Sequence, residues 1–342
     1  MADPSNWTVW LFGCQGRRCK SALYKRLKAI RSVLAGRSIF TFQGTSIKRG
    51  DIRSKYPPVG TCIYCGSSTY SAKPHVRKHP LGLEHIVAEG IGGTLELPEA
   101  SCQDCEDATG RLVEGQVLGS TLKALRAHFN LKKPGSGRHP STLPLSTRVN
   151  GIDRTVEIPT EDYPIIFNML VYPAPDVANV NTEQGRAVIG AAVAVLKFDQ
   201  FELFRKYGIS TFSSAIWDNQ MLTRLLAKIA HSYAFAELGE GKFSPRLLGL
   251  IRDGDISAMN LVGGDEALND GRALSSALHE LALGYQRING AVYVVARIRL
   301  FASNGGPFYL VVVGESLETR TARAIRIVRH TLGMWANQRR LR

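Results

Sequence analysis

Four cysteines in two short pairs are the residues whose type and spacing most directly specify chemistry in this chain. Cys62-Ile-Tyr-Cys65 and Cys102-Gln-Asp-Cys105 are each Cys-x2-Cys, and 36 residues separate the pairs. Such a pair puts two sulfurs on one tight turn, and two turns complete the tetrahedron a structural zinc ion takes. The spacing predicts Zn2+ on Cys62, Cys65, Cys102 and Cys105, with no open coordination position. Between the pairs stand Glu84-His85-Ile86 and Gly92-Gly93-Thr94, and Glu106 directly follows the fourth cysteine. An imidazole accepts a proton near neutral pH, and carboxylates are the oxygen ligands that hard divalent cations prefer.

Taken together, these motifs over residues 60–119, about a sixth of the chain, resemble the HNH nuclease family in its four-cysteine form. Glu84-His85-Ile86 matches the family's acidic-His-hydrophobic motif, Gly92-Gly93 its Gly-Gly loop, and Cys102 to Glu106 its closing motif. The resemblance implies a ββα-metal core that hydrolyses phosphodiester bonds in double-stranded DNA. It makes His85 the general base, and Glu84 and Glu106 the ligands of a catalytic Mg2+ or Mn2+ ion. Two departures stand out. The family has Asn or His where this chain has Glu106, and its central Asn has no counterpart, since Glu96 and Glu99 lie near that place. The alternatives are a zinc-stabilised nucleic-acid-binding module without catalysis, or an interaction component of a bacterial defence or mobile-element system.

The elements that must position these groups are legible in outline. Leu83 to Ala88 reads as a strand, Thr94 to Leu97 as its partner, and a helix starts near Cys105. Upstream, Leu23, Leu27, Ile30 and Leu34 recur at helical spacing among basic residues. Downstream, Ile165 to Val171, Val292 to Phe301 and Phe308 to Val313 read as strands and Gln220 to Leu238 as a helix, while Ala187 to Leu196 fits either helix or strand. Thr319 to Trp335 reads as a helix, because Arg320, Arg323, Arg326 and Arg329 recur every third residue. The expected fold class is α+β: a basic N-terminal region at 1–58, the zinc module at 59–131, a linker at 132–140, and an α+β domain at 141–342. His231 reads as a core hydrogen bonder and His279 as lying near a surface groove.

Charge adds a partner. The chain carries a net charge of +14, and residues 1–60 hold 12 Lys/Arg against two Asp. A surface of that sign suits a polyanion. Arg17, Arg18, Lys20, Lys25, Lys28, Arg31, Lys48, Arg49, Lys73, Arg77 and Lys78 are the candidate contacts to DNA, with RNA the less favoured substrate. No run of 18 apolar residues and no signal peptide is visible, which predicts a cytoplasmic protein that does not enter a membrane. Cys14 and Cys19 read as free thiols. A homodimer and a protein partner for the C-terminal half are further expectations.

Overall fold

The computed structural model describes residues 48–50, 54–73, 75–76, 80–131, 139–149, 152–177, 187–214, 217–265, 275–317 and 328–334. The chain divides into Met1–Thr41 and Phe42–Arg342, and the described residues all belong to the second unit. The fold is α+β. Two short strands, β1 (Lys48–Gly50) and β2 (Ser54–Lys55), precede β3 (Gly82–His85) and β4 (Leu95–Ser101). A continuous helix α1 follows through Gln103–Glu106, a π-helical stretch Asp107–Glu114, and Gly115–Gly119, with α2 at Lys123–His128. Two hairpins come next, β5 (Thr142–Val149) with β6 (Ile152–Pro159) and β7 (Ile165–Val171) with β8 (Gly190–Lys197). Then follow α3 (Gln200–Tyr207), α4 (Asn219–Leu238), β9 (Phe243–Pro245), α5 (Leu248–Asp253) and β10 (Val262–Gly264). The chain closes its sheet with β11 (Ala277–Ile288), β12 (Ala291–Arg299), β13 (Phe308–Ser316) and β14 (Val328–Met334).

The largest sheet has the order β1-β14-β11-β12-β13-β10, with β9 also paired to β13. All its pairs are antiparallel except β1 with β14. Helix α4 packs on β12 and β13 and is buried almost all round from Leu222 to Ala234. A helix with that pattern is a core element rather than a surface one. Its start is fixed by Asp218, whose side chain accepts the Met221 N–H at 2.8 Å. That bond satisfies one of the donors a helix N-terminus leaves open.

Several sequence expectations are corrected here. The segment with the arginine spacing is not helical where it is described, because Val328–Met334 is a strand paired with β11. Arg320, Arg323 and Arg326 lie outside the described residues. The β-branched residues Val328 and Thr331 suit a strand, and Leu332 pairs with His279 in register. Of Ala187 to Leu196, the part from Gly190 onward is strand β8, with Ala191, Val193 and Val195 exposed and Ala192 buried between them. The linker drawn at 132–140 is described only at His139 and Pro140. No helix among the described residues is long and apolar enough to cross a membrane.

His279 is fully buried rather than near a groove. Its Nε2 donates to the Ile91 carbonyl at 2.7 Å and its Nδ1 accepts the Phe301 N–H at 3.2 Å. That pairing uses the neutral ring completely, and a proton on Nδ1 would face a donor. His231 on α4 is buried as expected and donates from Nε2 to the Ile63 carbonyl at 2.8 Å. Burial holds both imidazoles down to about 4. Unfolded, such rings titrate near 6.5, so between those values the unfolded chain binds more protons. Their contribution is complete above about pH 6.5 and is lost as pH falls toward about 4. Urea titrations should therefore show wild type losing roughly 2 kcal/mol more than His279→Gln between pH 7 and pH 5. An equal loss in both proteins would contradict the buried neutral ring.

Candidate metal centre and the buried charges beside it

The four cysteine sulfurs lie within 4.8 Å of one another. Cys62 and Cys65 come from a turn closed by Gly66, whose N–H reaches the Cys62 carbonyl at 2.7 Å. Gly66 has φ +77°, a left-handed conformation that favours glycine. Cys102 is the residue before α1 and Cys105 sits in its first turn. The turn is tied to the hairpin because the Ile63 N–H donates to the Ala100 carbonyl at 2.9 Å. Cys62, Cys102 and Cys105 are buried and Cys65 is exposed.

This donor set fits zinc. Zn–S bonds of about 2.3 Å in a tetrahedron put sulfurs about 3.8 Å apart, and Cys65 Sγ lies 3.6 Å from Cys102 Sγ. Protonation tells the same story. The Cys62 sulfur, accepting a hydrogen bond from Cys105, is pulled down to about 4, while that same bond and then burial drive the Cys105 thiol far up. Burial pushes Cys102 up to about 11. Four sulfurs this close do not all ionise on their own, and a dication is what lets them.

Between the pairs, the Gly-Gly loop is dictated by close approach. Gly92 has φ +89° and closes the short 3-10 turn Glu89–Ile91. A Cβ on Gly93 would stand 1.8 Å from the Val87 carbonyl oxygen, so only glycine fits. The Gly90 carbonyl accepts from Arg126 Nε on α2 at 2.7 Å. With Ile91 held by His279, the loop after His85 is fixed from two directions.

Glu84, His85 and Glu106 fare differently from the cysteines. Glu84 is buried, and its Oε1 is ion-paired with Lys228 Nζ on α4. Lys228 is 2% exposed; it also pairs with Glu114 Oε1 at 2.7 Å and donates to the His85 carbonyl. Burial pulls the Lys228 ammonium down, but Glu114 and Glu84 outweigh it and hold the group above the ordinary lysine range. Burial raises the Glu84 carboxyl, Lys228 opposes that, and Glu114 adds to it. One ammonium serving two carboxylates explains both directions. Glu106 is exposed and accepts from the Tyr70 hydroxyl at 3.0 Å. A Cβ on Gly82 would stand 2.6 Å from Glu106 Oε2, so this carboxylate lies against the start of β3. Among the described residues, the cysteines form the one group of three or more His, Cys, Asp or Glu positioned to share an ion.

His85 ends β3 half-buried, and its Nδ1 is buried without a hydrogen bond. Burial, then Lys228, hold the imidazole below its ordinary range, with Glu89, Glu96 and Glu114 pulling the other way. The ring is therefore neutral at pH 7. Of the candidate DNA contacts, Lys73 is exposed and Lys48 and Arg49 lie in β1. Arg17, Arg18, Lys20, Lys25, Lys28, Arg31, Arg77 and Lys78 lie outside the described residues, as do Cys14 and Cys19. Lys228 and Glu114 were missed in the sequence. The available signal was a lysine among Leu225, Leu226, Ala227, Ile229 and Ala230 in the middle of the longest helix among the described residues.

No protein family, curated protein or solved structure matches the chain. What stands is a four-cysteine cluster suited to zinc in an α+β fold. Replacing Cys105 by Ser should abolish stoichiometric zinc and unfold the segment around it, since structural zinc contributes about 10–16 kcal/mol of binding free energy in small modules. Metal analysis beside circular dichroism checks this, and a folded, zinc-free variant would contradict it.

Proposed function

We propose that this chain is a zinc-stabilised, nucleic-acid-binding protein whose HNH-like segment has given up divalent-metal hydrolysis. The observation that carries this reading is Lys228, whose ammonium neutralises the carboxylate, Glu84, that the family resemblance makes a metal ligand. The residues present do not fit a Mg2+ or Mn2+ ion held by Glu84 and Glu106. The net charge of +14 and the basic stretch before residue 60 support a polyanionic partner. Residues 1–58 supply phosphate contacts, 59–131 the zinc-bearing anchor, and 141–342 the packing that holds it. Duplex DNA is the favoured partner, and contacts of this kind position a backbone without reading sequence.

The second reading is an endonuclease in which His85 takes the proton from the attacking water. The neutral, half-buried His85 imidazole favours it. Two measurements separate the readings. Fluorescence anisotropy with a duplex oligonucleotide should show log K falling linearly with log salt, and alanines at Arg17, Arg18 and Lys20 should lower the slope by about 0.9 per lost phosphate contact. Supercoiled plasmid with Mg2+ or Mn2+ should stay intact with both wild type and His85→Ala. Absence of salt-dependent binding would sink the first reading. Cleavage by wild type that is lost in His85→Ala would establish the second.

A further inference from the structure

The carboxylates of Glu84 and Glu114 and the carbonyl oxygen of His85 converge on one point, and a lysine ammonium fills it. The oxygens arise from β3 and from the π-helical stretch of α1, the helix whose first turn carries Cys105. The π stretch has a wider turn, with the Gly115 N–H reaching the Gly110 carbonyl, and Glu114 is its last residue. Widened turns of this kind recur where a helix must present a functional side chain. Two carboxylates and a backbone carbonyl are oxygen ligands suited to a hard divalent cation.

We propose that Lys228 is a built-in cation: its ammonium occupies a latent divalent-metal site formed by Glu84, Glu114 and the His85 carbonyl, and keeps that site closed to Mg2+ and Mn2+. An ammonium has three donors, and three acceptors meet it here. A lysine 143 residues further along the chain thus performs the charge neutralisation that a bound ion would otherwise perform. Because it also holds the His85 carbonyl, Lys228 acts on that residue as a positioning group. The charge count leaves one excess negative charge when both carboxylates are ionised, so removing the ammonium leaves the buried Glu84 and half-buried Glu114 carboxylates together with no counter-ion. A dication is the natural occupant of that gap. The inference extends the reading of a lost hydrolytic site, and its test does not depend on DNA binding.

The test uses the full chain with its zinc loaded, and Mn2+ as the probe, followed by electron paramagnetic resonance and by thermal melting. Wild type should bind no Mn2+ at this site and show no shift in melting temperature. Lys228→Ala should take up one equivalent of Mn2+ and melt several degrees higher with it, and the added Glu84→Gln change should remove both effects. If Lys228→Ala fails to fold, Lys228→Met, which keeps the length of the buried side chain and removes only the charge, takes its place with the same expectations. Mn2+ bound by wild type and lost in Glu84→Gln would overturn the proposal, as would a folded Lys228→Ala that binds none. Failure of DNA binding would leave these results untouched, so the two readings fail separately.

Discussion

Four sulfur atoms within 4.8 Å of one another can all ionise only around a positive charge, and that constraint organises the segment from Cys62 to Gly119. A turn, a hairpin and a helix start are brought to one point. With zinc in place the cost of gathering thiolates becomes a gain, and the Cys62–Cys65 turn, bonded to β4 through Ile63, is pinned to the start of α1.

The second constraint is how that backbone is satisfied. Carbonyls of buried, irregular segments must find donors, and here the donors come from far along the chain. Ile63 is served by His231, His85 by Lys228, Gly90 by Arg126 and Ile91 by His279. Three of these four donors lie on α4 or β11. The zinc segment and the later core are therefore linked by buried polar contacts, whose loss costs more than their formation gains. Breaking the Lys228 pair alone is worth on the order of 3–5 kcal/mol, because it strands buried carboxylates. Such contacts specify one docking geometry more sharply than apolar packing does.

What was legible in the sequence was local. The cysteine spacing, the β3–β4 pair, the hairpin of β12 and β13, and helix α4 follow from periodicity and turn residues within a few positions. Strand β11 was invisible because Ala277 to Leu283 is rich in helix-forming residues and is buried on both faces, which removes the alternation that marks a strand. The arginine spacing near the C-terminus suggested a helix, but pairing with β11 decides the conformation of Val328–Met334. Most telling is Glu84, whose neighbours in sequence suggested a metal ligand. Its true partner is 144 positions away, and no local pattern announces an ion pair at that distance. The metal centre was thus readable from spacing, whereas the chemistry beside it depended on tertiary contacts.

The most direct test of this account is X-ray absorption at the zinc edge on the purified full-length protein. The account predicts four sulfur scatterers at about 2.3 Å and no lighter ligand. A shell containing nitrogen or oxygen, or zinc absent from folded protein, would contradict the central claim that the four cysteines close around one structural ion.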